Sequence, residues 1–152
     1  MRTVAVMILL ATLLSGCTGR DGGSNASSTK PPLTGAAAAA ENDRLKKEIE
    51  RLFSGGTVTV TSQSPSFEIG ASVSVQVQST PSPPERIDQL VDKALRLAWN
   101  TRQFVPDTVN IVVVAPGTKR PLSDLTRLGF FLSEAASSKE LRGRYGAPAF
   151  EQ

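Results

Sequence analysis

Histidine is absent from this chain of 152 residues, and cysteine occurs once. The first absence removes Ser-His-Asp and Cys-His catalysis and, with them, most transition-metal sites. The second rules out an internal disulfide, so whatever folds does so without covalent staples. Long apolar runs are missing too. Residues 4–14 form an apolar stretch, yet a helix needs about 20 residues to span a bilayer. Charge of either sign is scarce in excess, with 17 Lys+Arg against 14 Asp+Glu. That balance is too even for a nucleic-acid partner. At this length one small core is the upper limit.

What is present at the amino terminus follows the order of an export signal over residues 1–16. Arg2 is positive, residues 4–14 are nearly all apolar, and Ser15 and Gly16 are small. Leu14-Ser15-Gly16-Cys17 then resembles the lipobox of bacterial lipoprotein precursors, a resemblance confined to residues 1–17. It implies transfer of a diacylglyceryl group to the Cys17 thiol and cleavage between Gly16 and Cys17, so that the cysteine becomes the first mature residue. A thiol that would otherwise be free and oxidisable is thereby used. Two acyl chains give a stable anchor at about 0.8 kcal/mol per buried methylene, where one chain holds only marginally. The implied partner is the cell membrane, on its extracytoplasmic side. Thr18 stands where an aspartate is associated with inner-membrane retention, which points to the outer membrane in an organism that has two. Cleavage would remove Arg2 and leave 16 Lys+Arg against 14 Asp+Glu, a formal +2.

Residues 17–40 read as the lipidated cysteine and a flexible linker. Gly, Ser, Thr, Asn and Pro dominate its first half and cannot bury enough apolar surface to offset ordering entropy. Ser27, Ser28, Thr29 and Thr34 beside Pro31 and Pro32 are either acceptors for O-linked sugars or part of a bare linker. Residues 41–54 read as a short amphipathic helix, with Leu45, Ile49, Leu52 and Phe53 on one stripe, alanines before it and Gly55-Gly56 to stop it. The stripe packs on the domain that follows, pairs with a second helix, or forms only in part. It is too short for a coiled coil.

Residues 57–150 read as a small α+β domain. Val58 and Val60, then Phe67, Ile69, Ala71, Val73, Val75 and Val77, fall on alternate positions, as in strands with one buried face. Ser64-Pro65-Ser66 is the expected turn between them, and Gly70 a bend or bulge. A helix introduced by Pro81 to Pro84 and running to about Arg102 carries a broad apolar face that includes Ile87, Val91, Leu95 and Trp99. Residues 109–115 form a β-branched run, expected of a strand covered on both faces or lying in the sheet centre, and the order strand, helix, strand is compatible with a right-handed crossover joining parallel strands. Ser123 is the expected N-cap of a helix over residues 124–136, against a competing strand over residues 128–132; Ser138 caps a last short helix. The sum is a three- to four-stranded sheet with two helices on one face, preceded by a disordered stalk and the amphipathic helix. This order, with the tail Ser138-Lys139-Glu140-Leu141-Arg142-Gly143-Arg144-Tyr145-Gly146, resembles small extracytoplasmic domains of actinobacterial membrane proteins and lipoproteins. The resemblance implies no particular activity.

Few residues suggest chemistry. Ser27-Ser28-Thr29-Lys30 matches the S-x-x-K pattern but lies in the linker without its companion motifs. Asn25-Ala26-Ser27 fits a glycosylation sequon in the same stretch. Asp88 and Asp92 share a helix face and have the oxygen chemistry of a hard-cation site, while Lys93 and Arg96 beside them make a solvated charged face the simpler reading. Lys119, Arg120, Arg127, Lys139, Arg142 and Arg144 concentrate positive charge late in the chain, diluted by Asp124, Glu134, Glu140 and Glu151. Trp99 and Phe104 read as core. No cofactor and no metal are called for. The expected function is a non-enzymatic, membrane-anchored module that binds another envelope protein. The alternative is a lipid-, glycan- or solute-binding lipoprotein with a cavity lined by residues such as Val75, Leu95 and Val113.

Overall fold

The computed structural model describes residues 35–63 and 70–152, and the fold over these residues is α+β. Helix α1 spans Gly35–Leu52, strands β1 and β2 Thr57–Gln63 and Ser72–Gln78, and helix α2 Pro84–Trp99. Strand β3 (Thr108–Val114) is followed by a 3-10 turn (Leu125–Leu128), strand β4 (Ala135–Ser137), helix α3 (Ser138–Tyr145) and a last 3-10 turn (Ala149–Glu151). The strands lie in the order β1-β2-β3-β4. The outer pairs are antiparallel, and the central pair β2/β3, joined through α2, is parallel.

Alternation along the strands divides the sheet into two unlike faces. Val58, Val73, Val75, Val77, Val109, Ile111, Val113 and Ala136 point to one side and are buried there beneath α1 and α2. Helix α2 turns Ile87, Val91, Ala94, Leu95, Ala98 and Trp99 onto this face. Pro84 sits at its N1/N2 end, where a missing N–H costs nothing. The Trp99 indole N–H is not wasted by burial, since it donates to the Gly146 carbonyl at 2.9 Å. Helix α1 contributes Leu45, Ile49 and Phe53 to the same core, which decides among the three alternatives for its apolar stripe: it packs on the domain. The helix also begins at Gly35 rather than at residue 41, because the alanines ahead of Glu41 have the highest helix propensity and nothing interrupts them. Every residue of the core cluster lies between Leu45 and Leu141.

The second helix on the sheet is therefore α1, and the helix expected over residues 124–136 is not formed. The chain makes one 3-10 turn and stops at Gly129, whose φ of +86° a residue with a Cβ rarely adopts. Phe130 then folds back, its N–H donating to the Leu125 carbonyl, and Ile111 takes the Glu134 carbonyl to draw the chain into β4. The competing strand over residues 128–132 is absent for the same reasons. Ser123 does not cap: its hydroxyl accepts from the Val113 N–H at 3.0 Å. Asp124 caps instead, accepting from the Thr126 N–H. The cap of α3 is Ser137 rather than Ser138. The expected turn at residues 64–66, along with Phe67 and Ile69, lies outside the described residues. Gly70 is needed for close approach, since a Cβ there would meet Asp107 Oδ2 at 2.2 Å. Among the described residues no helix is long and apolar enough to cross a membrane.

Candidate functional site

The face of the sheet that no described helix covers is mostly polar and uncharged. Strand register aligns its side chains in rows: Gln63, Ser72, Thr108 and Ser137; Thr61, Ser74, Asn110 and Ala135; Thr59, Gln76 and Val112. Period-two alternation in Thr57–Gln63 and Ser72–Gln78 produces this surface directly, because each residue that does not face the helices is Thr, Ser or Gln.

At the β4 edge of this face stand the only two large apolar side chains exposed among the described residues, Phe131 at 87% and Leu132 at 54%. Together with Thr108, Ala135, Ser137, Lys139 and Glu140 they border an open cleft of about 550 Å³. Their loop is held at both ends. The Leu125 N–H donates to the Ser133 carbonyl at 2.8 Å, and Phe130 is buried next to the exposed ring. Glu140 fixes the middle: its Oε1 accepts the Phe131 N–H at 2.8 Å, while its Oε2 accepts the Ser137 N–H at 2.9 Å and the Ser137 hydroxyl at 2.5 Å. The Ser137 hydroxyl bond, the Ser137 N–H and the Phe131 N–H hold the Glu140 carboxyl below the usual carboxylate range. One carboxylate thus closes the capping box of α3 and positions the Phe131 backbone.

The residues singled out in the sequence fare differently. Gly16 and Cys17, on which lipidation and cleavage would depend, lie outside the described residues, as do Asn25, Ser27 and Lys30. Asp88 and Asp92 are brought near one another but into separate ion pairs, Asp88 with Arg127 at 2.7 Å and Asp92 with Arg144 at 2.6 Å. The Tyr145 hydroxyl also donates to Asp92 at 2.9 Å, and burial beside that carboxylate pushes the phenol far above its ordinary range. No group of three or more potential metal-ligating acids is found among the described residues. The late cluster of basic residues is dispersed by pairing: Arg127, Arg142 and Arg144 are each bonded to an acid, Arg142 to Glu151 at 2.6 Å. Arg142 and Arg144 also lie over the Trp99 and Phe130 rings.

The most buried carboxylate belongs to Glu41, at 4% exposure. Burial pushes its pKa up, but bonds from the Arg44 guanidinium at 2.6 Å and from the Arg102 N–H at 3.0 Å outweigh this and leave it lowered. The Arg44 bond lies within α1, whereas the Arg102 N–H joins this helix to the chain just beyond α2, which is a structural role. Val75, Leu95 and Val113 belong to the core cluster and are at most 1% exposed. Sequence reasoning missed Phe131 and Leu132 as surface residues because it placed them in a helix; Gly129 was the signal that a turn intervenes. No family model matches the chain, and comparison with curated proteins and with solved structures found no match.

Proposed function

We propose that the chain is a bacterial lipoprotein, anchored through Cys17 at a cell membrane, whose domain is a non-enzymatic module that binds another envelope protein. The observation that carries the binding role is the exposed pair Phe131 and Leu132 beside an uncharged sheet face. Aromatic side chains held rigidly at a surface make good interface anchors, because little conformational freedom remains to be lost on binding. The Glu140 carboxylate fixes the Phe131 backbone, from which the ring projects, through the Phe131 N–H. Around the anchor, hydroxyls and amides on the sheet can hydrogen-bond a partner without the desolvation penalty of a buried charge. Leu45, Ile49 and Phe53 of the α1 stripe have no part in this role, since they are buried in the core.

A photo-crosslinking amino acid at position 131, compared with the same group at position 119 on the far turn, tests the interface in cells. One envelope protein recovered from position 131 alone, and lost on Leu132→Asp, is the expected result. Equal or no capture at the two positions removes this surface from the proposal. Metabolic labelling with palmitate, expected in the wild type and absent from Cys17→Ala, tests the anchor separately.

A further inference from the structure

The pairing of Asp88 with Arg127 and Asp92 with Arg144 leaves Lys93 and Arg96 of α2 with no acidic partner within ion-pair distance among the described residues. Both are exposed. With Leu52, Leu97 and Asn100 they line a cleft of about 320 Å³ between α2 and the end of α1. Leu52 also borders the neighbouring cleft, where Leu90 and the exposed Arg86 lie among the hydroxyl-bearing Ser54, Ser79, Thr80 and Ser82. The two clefts form a seam along α2, with half-buried leucines as its floor and, among the described residues, three cations without an acidic partner at its rim and no carboxylate in its lining; Asp88 and Asp92 lie on the far side of Lys93, held by their arginines. Acids nearby on α1 are engaged elsewhere, Glu48 by Arg44 and Glu50 by Lys46.

We propose that this seam docks the domain on the anionic phospholipid headgroups of the membrane that carries its anchor. The step rests on the anchor reading for proximity alone. Residues 18–34 could extend at most about 60 Å, so a tethered domain meets headgroups at a high effective concentration. Arg86 and Arg96 are ten residue steps apart on the helix, about 15 Å of axis, so its cations can engage a flat charged surface together. Their aliphatic stems can lie along the leucines while the charged heads reach phosphate. Each cation strengthens attraction to an anionic surface by about fivefold, and three by on the order of a hundredfold. The orientation also suits the binding role. The helical layer would face the bilayer and the open sheet face with Phe131 would face away from it.

The test uses the chain from residue 17 onward with Cys17→Ser, which keeps every core residue and has neither signal nor anchor. It is sedimented with vesicles of phosphatidylcholine alone or mixed with phosphatidylglycerol. Binding is expected only to the mixed vesicles, weakened by salt, and reduced at least tenfold by Arg86→Glu, Lys93→Glu and Arg96→Glu combined. Lys119→Glu with Arg120→Glu, exposed cations on the turn after β3, changes the net charge by four units against six for the triple variant and should lose far less than that proportion of the binding. Circular dichroism confirms that each variant is folded. Equal affinity for the two vesicle types overturns the proposal, including when the seam instead takes an acidic polypeptide, and so does an equal loss in the control. Because the anchor is absent, either outcome leaves palmitate labelling of Cys17 as an independent matter.

Discussion

Glu140 illustrates how one residue can couple local stability to a binding surface. Its carboxylate accepts from Ser137 and from the Phe131 N–H, and both interactions favour the charged form, so its folded pKa lies below the unfolded value. A depressed carboxylate contributes stability that is present above its unfolded pKa and is lost as the pH falls through the folded one. Glu41, Asp124 and Glu151 are shifted in the same direction, so unfolding should become easier as the medium is acidified below the ordinary carboxylate range. Glu140→Gln keeps the Ser137 cap but replaces one accepting oxygen by an NH2 that cannot accept, and is expected to lower stability by about 1 kcal/mol near neutrality, as for the loss of one hydrogen bond to a charged group. The difference from wild type should close in acid, where the native carboxyl is itself protonated. Urea midpoints of both proteins near pH 7 and near pH 3 measure this; a gap that persists in acid would mean that shape rather than charge is responsible.

Among the elements, β2 depends on an approach that only glycine permits. Gly70 precedes the strand, and Asp107, just before β3, sends Oδ2 to the Ala71 N–H at 2.8 Å while its own N–H donates to the Ala71 carbonyl at 2.7 Å. These bonds pin the starts of the two parallel strands together. A Cβ at Gly70 would meet the carboxylate carbon at 2.7 Å and must displace it. Gly70→Ala is therefore expected to cost about 1–3 kcal/mol, the range for overpacking. Gly143 within α3 has nothing within 4 Å of its added Cβ. Gly143→Ala should be neutral or stabilising by up to about 1 kcal/mol through helix propensity. Thermal midpoints that move in the same direction for both variants would contradict this account.

At the scale of the whole molecule, the question is whether α1 is an appendage or part of one cooperative unit. Leu45 and Ile49 are fully buried against the sheet, and the Glu41 carboxylate joins α1 to the chain beyond α2. Leu45→Ala should cost about 2–5 kcal/mol and shift a single unfolding transition, recorded alike by far-ultraviolet dichroism and by Trp99 fluorescence. A separate early transition of helical signal, with the Trp99 transition unmoved, would make α1 a dispensable extension.

Much of this architecture follows from patterns that act over a few residues. Alternating valines fixed β1 and β2, the apolar face of residues 84–99 fixed α2, and the β-branched run fixed β3, because period and propensity are properties of neighbouring side chains. The lack of histidine and the lone cysteine limited the chemistry just as directly. The destination of the α1 stripe was a different matter, since Leu45 and Ile49 are equally apolar whether they meet a sheet, another helix or water. Residues 124–136 were misread because their fate depends on bonds to distant backbone, from Val113 to Ser123 and from Ile111 to Glu134. The ion pairs were also beyond local reading: Asp88, Asp92, Lys93 and Arg96 read as one solvated charged face, yet longer-range guanidinium partners claimed both acids. Sequence alone determined β1, β2, α2, β3 and the two faces of the sheet, because those depend on spacing along the chain. Tertiary structure decided which apolar side chains stayed exposed and which cations stayed unpaired, because exposure and pairing depend on what else occupies the same space.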